Sequence, residues 1–404
     1  MPIACKNCQF AVEPFFSLGE MPLVNNFIRK EQISDEKKFD LTIGFCSKCF
    51  LVQLTNIVPP ADLFESYLYL SSTSSSFLRH CEDLANRFSK RFNLGPQNLV
   101  VEIASNDGGQ LGFFKNLGIR TLGIDPAKNI AKVANEKGIK TLPEFFNFKL
   151  ARKLREEQGI TADLVFGANV LAHVPEIRDF VRGVKEILSS AGTAVFEFPY
   201  LRGLFENKFD TIYHEHVFYY SLIALRNLFN AENMDIYDVE MTPMQGGSLM
   251  IFVSHTGKFA INQNVISLAS RELEDGWDKI DAYKKIDENV NKLKTELVSL
   301  LTELNSKGKK IAAYGAAAKG TVLMNYFGIG QHLDFISDKA ESKQGLYTPG
   351  THILVHAPDK VYQEKPDYLL ILPWNITDEI VNQYSDYQKQ GGKFIVPVPS
   401  VKII

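Results

Sequence analysis

The strongest constraint on this chain is an alternation of apolar strand-like runs with helical patterns, which occurs twice, on either side of one long amphipathic segment. Such alternation builds a parallel sheet with helices on its faces. In the first stretch, strands are predicted over 98–104, 121–125, 162–169 and 193–199, with helices after Gly108 and over 126–137 and 176–188. Segments 234–241 and 248–254 are expected as an antiparallel pair at that sheet's edge. The alternation restarts at 310–314 and continues through 333–337, 352–356 and 368–372, with 392–398 as the last strand. In between, Tyr283, Ile286, Val290, Leu293, Leu297, Leu300 and Leu304 step by three and four, one face of a helix packed between two domains.

A length of 404 residues exceeds one ordinary core. The expected organisation is α/β: a small cysteine-bearing module over 1–60, a Rossmann-like domain over 61–256, and the linking helix with a second Rossmann-like domain over 257–404. Two nucleotide-type folds suggest two nucleotide-bearing ligands. Forty-four basic against forty-seven acidic residues leave no positive excess for nucleic acid. No secretory signal or membrane span is visible, so a cytoplasmic enzyme without membrane or nucleic-acid partners is expected.

Cys5-x-x-Cys8 and Cys46-x-x-Cys49 can each place two thiolates on one cation, together the four-sulfur set of a structural zinc. The separation is longer than the about 15–20 residues of a zinc ribbon. A redox pair would open a helix after a thioredoxin-like strand, and neither pair does. Cys81 is left over and is expected to be buried.

The turn after the first strand of the larger unit reads Glu102-Ile103-Ala104-Ser105-Asn106-Asp107-Gly108-Gly109. Ala104 stands where a dinucleotide turn has its first glycine, so close approach to a pyrophosphate is not expected. An acid followed by small residues suits S-adenosylmethionine, which has no phosphate and carries an ammonium. Asp125 closes the second strand, where a carboxylate can accept from ribose hydroxyls, and Asn169 closes the third predicted strand. Further on, Tyr213-His214-Glu215-His216 sits among aromatic residues, and His173 lies where a doubly wound fold has its ligand crevice. Adjacent His-Glu-His does not put both imidazoles on one helical face, so acid–base work fits better than metal binding. Near the start of the second unit, Gly315-Ala316-Ala317-Ala318-Lys319-Gly320 follows a strand and opens a helix, a nest for an anion with Lys319 as countercharge.

Taken in order, these pieces resemble the nucleotide-sugar C-methyltransferases that carry an N-terminal zinc-binding domain. The resemblance covers nearly the whole chain and rests on the four cysteines, Tyr67-x-Tyr69-x-Ser71-Ser72, the Glu102–Gly108 turn, His173, Tyr213-x-Glu215-His216, Gly246-Gly247 and Tyr314-Gly315-Ala316-x-Ala318-Lys319. It implies a zinc-binding module, a class I methyltransferase domain and a C-terminal domain that shares a nucleoside diphosphate 4-keto-6-deoxy sugar with it. It implies methylation at C3 of that sugar. His216 is then the base, supported by Glu215, Tyr213, His173 and one of Tyr67 or Tyr69. S-adenosylmethionine falls to Glu102, Ala104, Asn106, Asp107, Gly108, Asp125 and Asn169. The sugar nucleotide falls to Gly315, Ala316, Lys319 and Asp338. One departure concerns the Gly-Gly pair, flanked here by Gln245 and Ser248 where the family often has a histidine and an acid. Two other readings share some features: a zinc-containing RNA methyltransferase, and an NAD-linked oxidoreductase using the C-terminal fold.

Overall fold

The computed structural model describes residues 3–59, 63, 72 and 75–404. Its strands form three sheets among the described residues. The central strand of the largest, Leu99–Ile103, is buried at all five positions, as its four branched apolar residues must be when helices cover both faces, and Glu102 is buried with them. Arg120–Ile124 and Thr141–Leu142 lie to one side of it, Ala162–Ala168 and Leu188–Pro199 to the other, all parallel. This is the 3-2-1-4-5 order of a doubly wound nucleotide fold. Ser248–His255 and Met234–Thr242 then close the edge as the expected antiparallel pair.

The second doubly wound unit centres on Ile311–Tyr314. Ile336–Ser337 and Val355–His356 follow on one side, Tyr368–Ile371 and Lys393–Val396 on the other. Two differences from the sequence reading arise here. The strands expected over 333–337 and 352–356 shorten to two residues each. In the first, the Asp334 carboxylate accepts the Ile311 amide and ends the pairing early. The segment 392–398 is not the last strand, because Lys402–Ile403 folds back antiparallel on it.

The four-stranded antiparallel sheet of the first sixty residues pairs Glu13–Pro22, Lys38–Phe45 and Val52–Leu54. Its fourth strand is Phe218–Tyr219, taken from just beyond the Tyr-His-Glu-His segment. The linking helix, Ile280–Ser306, buries Tyr283, Ile286, Val290, Leu293, Leu297, Leu301 and Leu304. Leu301 thus replaces Leu300 on the inward face, since 3.6 residues per turn favours a step of four after Leu297. Tyr283 packs against Phe15 and Phe45 at ring distances of 5.0 and 4.9 Å, and Lys294 donates to the Tyr326 carbonyl at 2.8 Å. The helix therefore joins the first sheet to the last. No helix among the described residues is long and apolar enough to cross a membrane.

Candidate active site

At the carboxyl end of Leu99–Ile103 the chain makes a turn in which alternate residues, Ala104, Asn106 and Gly108, take φ of 57°, 48° and 79°. Three left-handed residues in five let the backbone bend sharply below a ligand, a conformation glycine adopts most easily. Gly108 then caps the helix Gly109–Asn116. Asp125 accepts the Asn106 amide at 2.9 Å and the Ala127 amide at 3.0 Å. Both of its oxygens are thus already engaged, with one lone pair each left for a ribose.

Carboxylates surround this turn. Glu102, Asp107 and Glu197 all raise the pKa of buried Cys81, after burial itself. Glu102 is buried with Oε2 unpartnered, and burial, then Asp125 and Asp107, hold its pKa well above the carboxylate range. Asp107 meets Ser72 and receives Lys137 Nζ at 2.7 Å. Glu197 bonds to His80 Nε2 at 2.7 Å and accepts from Thr242, a pair with no signal in local spacing. Such a collar of acids repels a pyrophosphate and attracts a cation. The orphaned Glu102 oxygen and the bent turn fit the ammonium and sulfonium charges of S-adenosylmethionine. Asn169, with φ of 57° and its amide on the Glu197 carbonyl at 2.6 Å, closes the neighbouring strand end.

Beside this lies the histidine cluster. His173 ends the turn Leu171–His173, and its ring meets that of His216 edge-on at 4.9 Å. Tyr213 lies against His216 at 3.9 Å. His216 Nδ1 sits 2.7 Å from the Thr211 carbonyl oxygen. A carbonyl only accepts, so Nδ1 carries the proton and Nε2 the lone pair. Burial, then His173, depress the pKa of His216 well below 6.5, and burial lowers His173 to about 4. Both rings are neutral at physiological pH.

The two middle members of the segment face elsewhere. His214 Nε2 lies 3.2 Å from the Phe39 carbonyl of the first sheet. The Glu215 carboxylate accepts Asn25 Nδ2 at 2.6 Å rather than touching His216. Asp210, at the other end of the segment, accepts Trp374 Nε1 at 2.6 Å. Neither Asn25 nor Trp374 was legible as a site residue, because each comes from a different part of the chain and from an unremarkable turn. Tyr67 and Tyr69, the two phenols expected here, lie outside the described residues.

Cys5, Cys8, Cys46 and Cys49 place their sulfurs within 4.8 Å of one another. The Cys5–Cys49 and Cys8–Cys46 pairs stand at 3.5 Å, close to the about 3.8 Å between sulfurs that sit tetrahedrally 2.3 Å from zinc. The two knuckles fold alike. Cys5 N donates to Phe10 O and Gln9 N to Cys5 O, while Cys46 N donates to Leu51 O and Phe50 N to Cys46 O. Gln9 and Phe50 take φ of 61° and 64°. Such a preformed four-sulfur cradle fits one zinc ion. Cys81 is buried, as expected.

The second glycine turn departs from expectation. Gly315 has φ of 87°, and a Cβ there would meet Pro373 at 2.5 Å. The Ala316 amide is taken by Asp338 Oδ2 at 2.7 Å and the Ala317 amide by the Gly315 carbonyl at 2.8 Å. These two amides are therefore not open to a diphosphate, and Asp338 clamps the turn as Asp125 clamps the first one. Its other oxygen holds the Ala340 amide at 2.7 Å. The Lys319 ammonium is already engaged by protein groups. It is half-buried, donates to the Gln245 carbonyl at 2.9 Å, and stands 4.8 Å over the Trp374 ring. Burial lowers its pKa, and Asp210 partly restores it. Gln245 thus contributes its main chain here, Ser248 turns its hydroxyl to the Met244 carbonyl, and Gly246 leaves room for Trp374 at 2.7 Å from where a Cβ would be.

A doubly wound sheet whose nucleotide turn is lined by acids, next to neutral imidazoles, suits a methyltransferase better than a dinucleotide enzyme. Comparison with known proteins agrees. Residues 101–196 match a methyltransferase domain, 5–64 a zinc-binding domain and 243–399 a C-methyltransferase C-terminal domain. C-methyltransferase NovU of Streptomyces niveus is 33% identical over 392 residues, 96% of this chain and 93% of that protein. Solved structures align over about half of the chain. The PH0226 protein of Pyrococcus horikoshii OT3 does so with a TM-score of 0.38 and 17% identity, covering 49% of this chain and 97% of its own. An S-adenosylmethionine-dependent methyltransferase from Clostridium acetobutylicum ATCC 824 gives a TM-score of 0.36 and 10% identity, over 45% and 92%. The chain belongs to the C-methyltransferase family, uses S-adenosylmethionine and carries a four-cysteine zinc module.

Proposed function

We propose that this C-methyltransferase acts at C3 of a nucleoside diphosphate 4-keto-6-deoxy sugar, the substrate class implied by the family resemblance. The observation that carries the chemistry is the His216 tautomer fixed by the Thr211 carbonyl, which leaves Nε2 as a base. A carbon beside a ketone becomes nucleophilic only after losing its proton. His216 Nε2 takes that proton, and the electron pair moves onto the C4 oxygen as an enolate. Donors aimed at that oxygen come from His173, Tyr213 and the Lys319 ammonium, whose charge acts on His216. A positioned base contributes roughly 10²–10⁴-fold and oxyanion donors on the order of 10²–10³. S-adenosylmethionine, when bound by Glu102, Asp107, Asp125 and the 104–108 backbone, supplies an electrophilic methyl group. Bonding of C3 to that methyl would break the methyl's bond to sulfur, leave S-adenosylhomocysteine and restore the ketone, while the proton on His216 passes to solvent.

The cofactor turn thus belongs to the middle unit, and the C-terminal unit offers the sugar nucleotide the helix start after Ala317 rather than the Ala316 amide. The test is incubation with methyl-labelled S-adenosylmethionine and a panel of 4-keto-6-deoxy nucleotide sugars, read by mass spectrometry of the product. A labelled sugar with loss of the C3 proton is expected. Label appearing only on oxygen or nitrogen, or near wild-type turnover by His216→Ala, would refute the assignment.

A further inference from the structure

We infer that Asn25, in the zinc-binding part of the chain, is a positioning residue for Glu215, holding that carboxyl in place through a direct hydrogen bond. The inference rests on the proposed function and on the family resemblance behind it, which places Glu215 among the residues that support His216. Asn25 lies in the turn in which the Asn26 amide donates to the Leu23 carbonyl at 3.0 Å, directly after strand Glu13–Pro22. Its carboxamide reaches Glu215 Oε1 at 2.6 Å. Two residues on, the Phe27 ring lies 5.0 Å below Lys343 of the C-terminal unit. Ile28 then exchanges main-chain bonds with Tyr347, at 3.2 and 2.8 Å. One short segment of the zinc module is thereby tied to both other units beside the site.

Glu215 is only 6% exposed, and no Lys, Arg or His lies within 4.0 Å of its carboxylate among the described residues. A buried carboxyl without a cation ionises only as far as hydrogen bonds to the anion allow. Burial raises Glu215 to about 7, and the Asn25 bond pulls against that rise. The other titratable groups facing this region are Tyr213, His214 and His216 on its own segment, Asp40 near His214, His173 beside His216, and Lys319 from the C-terminal unit. Asn25 is therefore placed to set both the orientation of Glu215 and the pH at which it becomes an anion. Because Asn25 is itself exposed on a turn, replacing it leaves no hole in a core.

The test follows the carboxylic-acid carbonyl band of Glu215 by infrared titration of the full-length, zinc-loaded, ligand-free protein, with Glu215→Gln identifying the band. Asn25→Ala should raise the midpoint by about one to two pH units, the worth of a hydrogen bond to a charged group. Asn25→Asp should raise it further, by adding like charge. The acidic limb of the kcat/KM profile, measured with the sugar-nucleotide substrate found above, should move with the band. An unmoved midpoint in both variants, with Glu215→Gln inactive, overturns the inference while leaving the proposed function standing. A fully active Glu215→Gln would instead remove the catalytic role of Glu215, and with it the meaning of Asn25 for the reaction.

Discussion

Asp210→Asn should make the protein more stable and less active at neutral pH. The wild-type carboxylate is 0% exposed. One oxygen accepts Trp374 Nε1 and the other has no partner. Burial raises its pKa from 3.8 to about 6, against the opposing pull of Lys319 and the Trp374 donor. A rise of that size disfavours the ionised native state by about 3 kcal/mol relative to the unfolded chain. The sign is that of a folded pKa above the unfolded one: the group favours the fold fully below pH 3.8, and that contribution is lost as pH rises through about 6. Asparagine keeps an acceptor for Trp374 and carries no charge, so it does not suffer this loss. The variant should gain up to about 3 kcal/mol over wild type at neutral pH, reduced by whatever Lys319 loses with its counter-charge. Urea unfolding of both proteins across that interval measures the difference directly. Taking the difference also cancels contributions from other groups, such as His173, whose depressed pKa favours stability as pH rises from about 4 to 6.5. The same substitution should lower kcat, because Asp210 precedes the Thr211 carbonyl that orients His216. A variant whose stability runs parallel to wild type across the whole interval would refute the reasoning.

Other perturbations test other parts of the site. Glu102→Gln should weaken S-adenosylmethionine binding roughly 10- to 100-fold by titration calorimetry, the value of a charge-assisted bond, whereas unchanged affinity would remove Glu102 from the cofactor site. Stripping zinc with a chelator should speed hydrogen exchange of the Leu54 amide, which donates to the Val217 carbonyl, before the seven-stranded sheet loosens. Equal protection with and without metal would show that the cysteines do not support that strand pairing. Gly315→Ala should cost about 1 kcal/mol or more in denaturant unfolding, from the left-handed φ alone, with the 2.5 Å approach to Pro373 adding to it. A neutral effect would mean the turn relaxes.

Much of this protein is written in local pattern. Strand and helix identities follow from apolar periodicity, and the cysteine spacing identifies a metal module, because period and ligand chemistry are properties of a few neighbouring residues. Acid Glu102 and the 104–108 turn could be read because a strand-to-helix turn imposes its backbone on consecutive positions. His216 could be named as a candidate base, but not its tautomer, which depends on where the Thr211 carbonyl points. The direction taken by each side chain of Tyr213-His214-Glu215-His216 was also hidden, since an irregular segment has no period to sort its faces. Tertiary structure decided that Glu215 meets Asn25, that Asp210 meets Trp374, and that Lys319 meets the Gln245 carbonyl of the middle unit. It also gave Phe218–Tyr219 to the zinc module's sheet. Each of these pairs residues from distant parts of the chain. Their partners are selected by burial and by the cost of leaving a charge or a strand edge unpaired, and no local sequence signal records that selection.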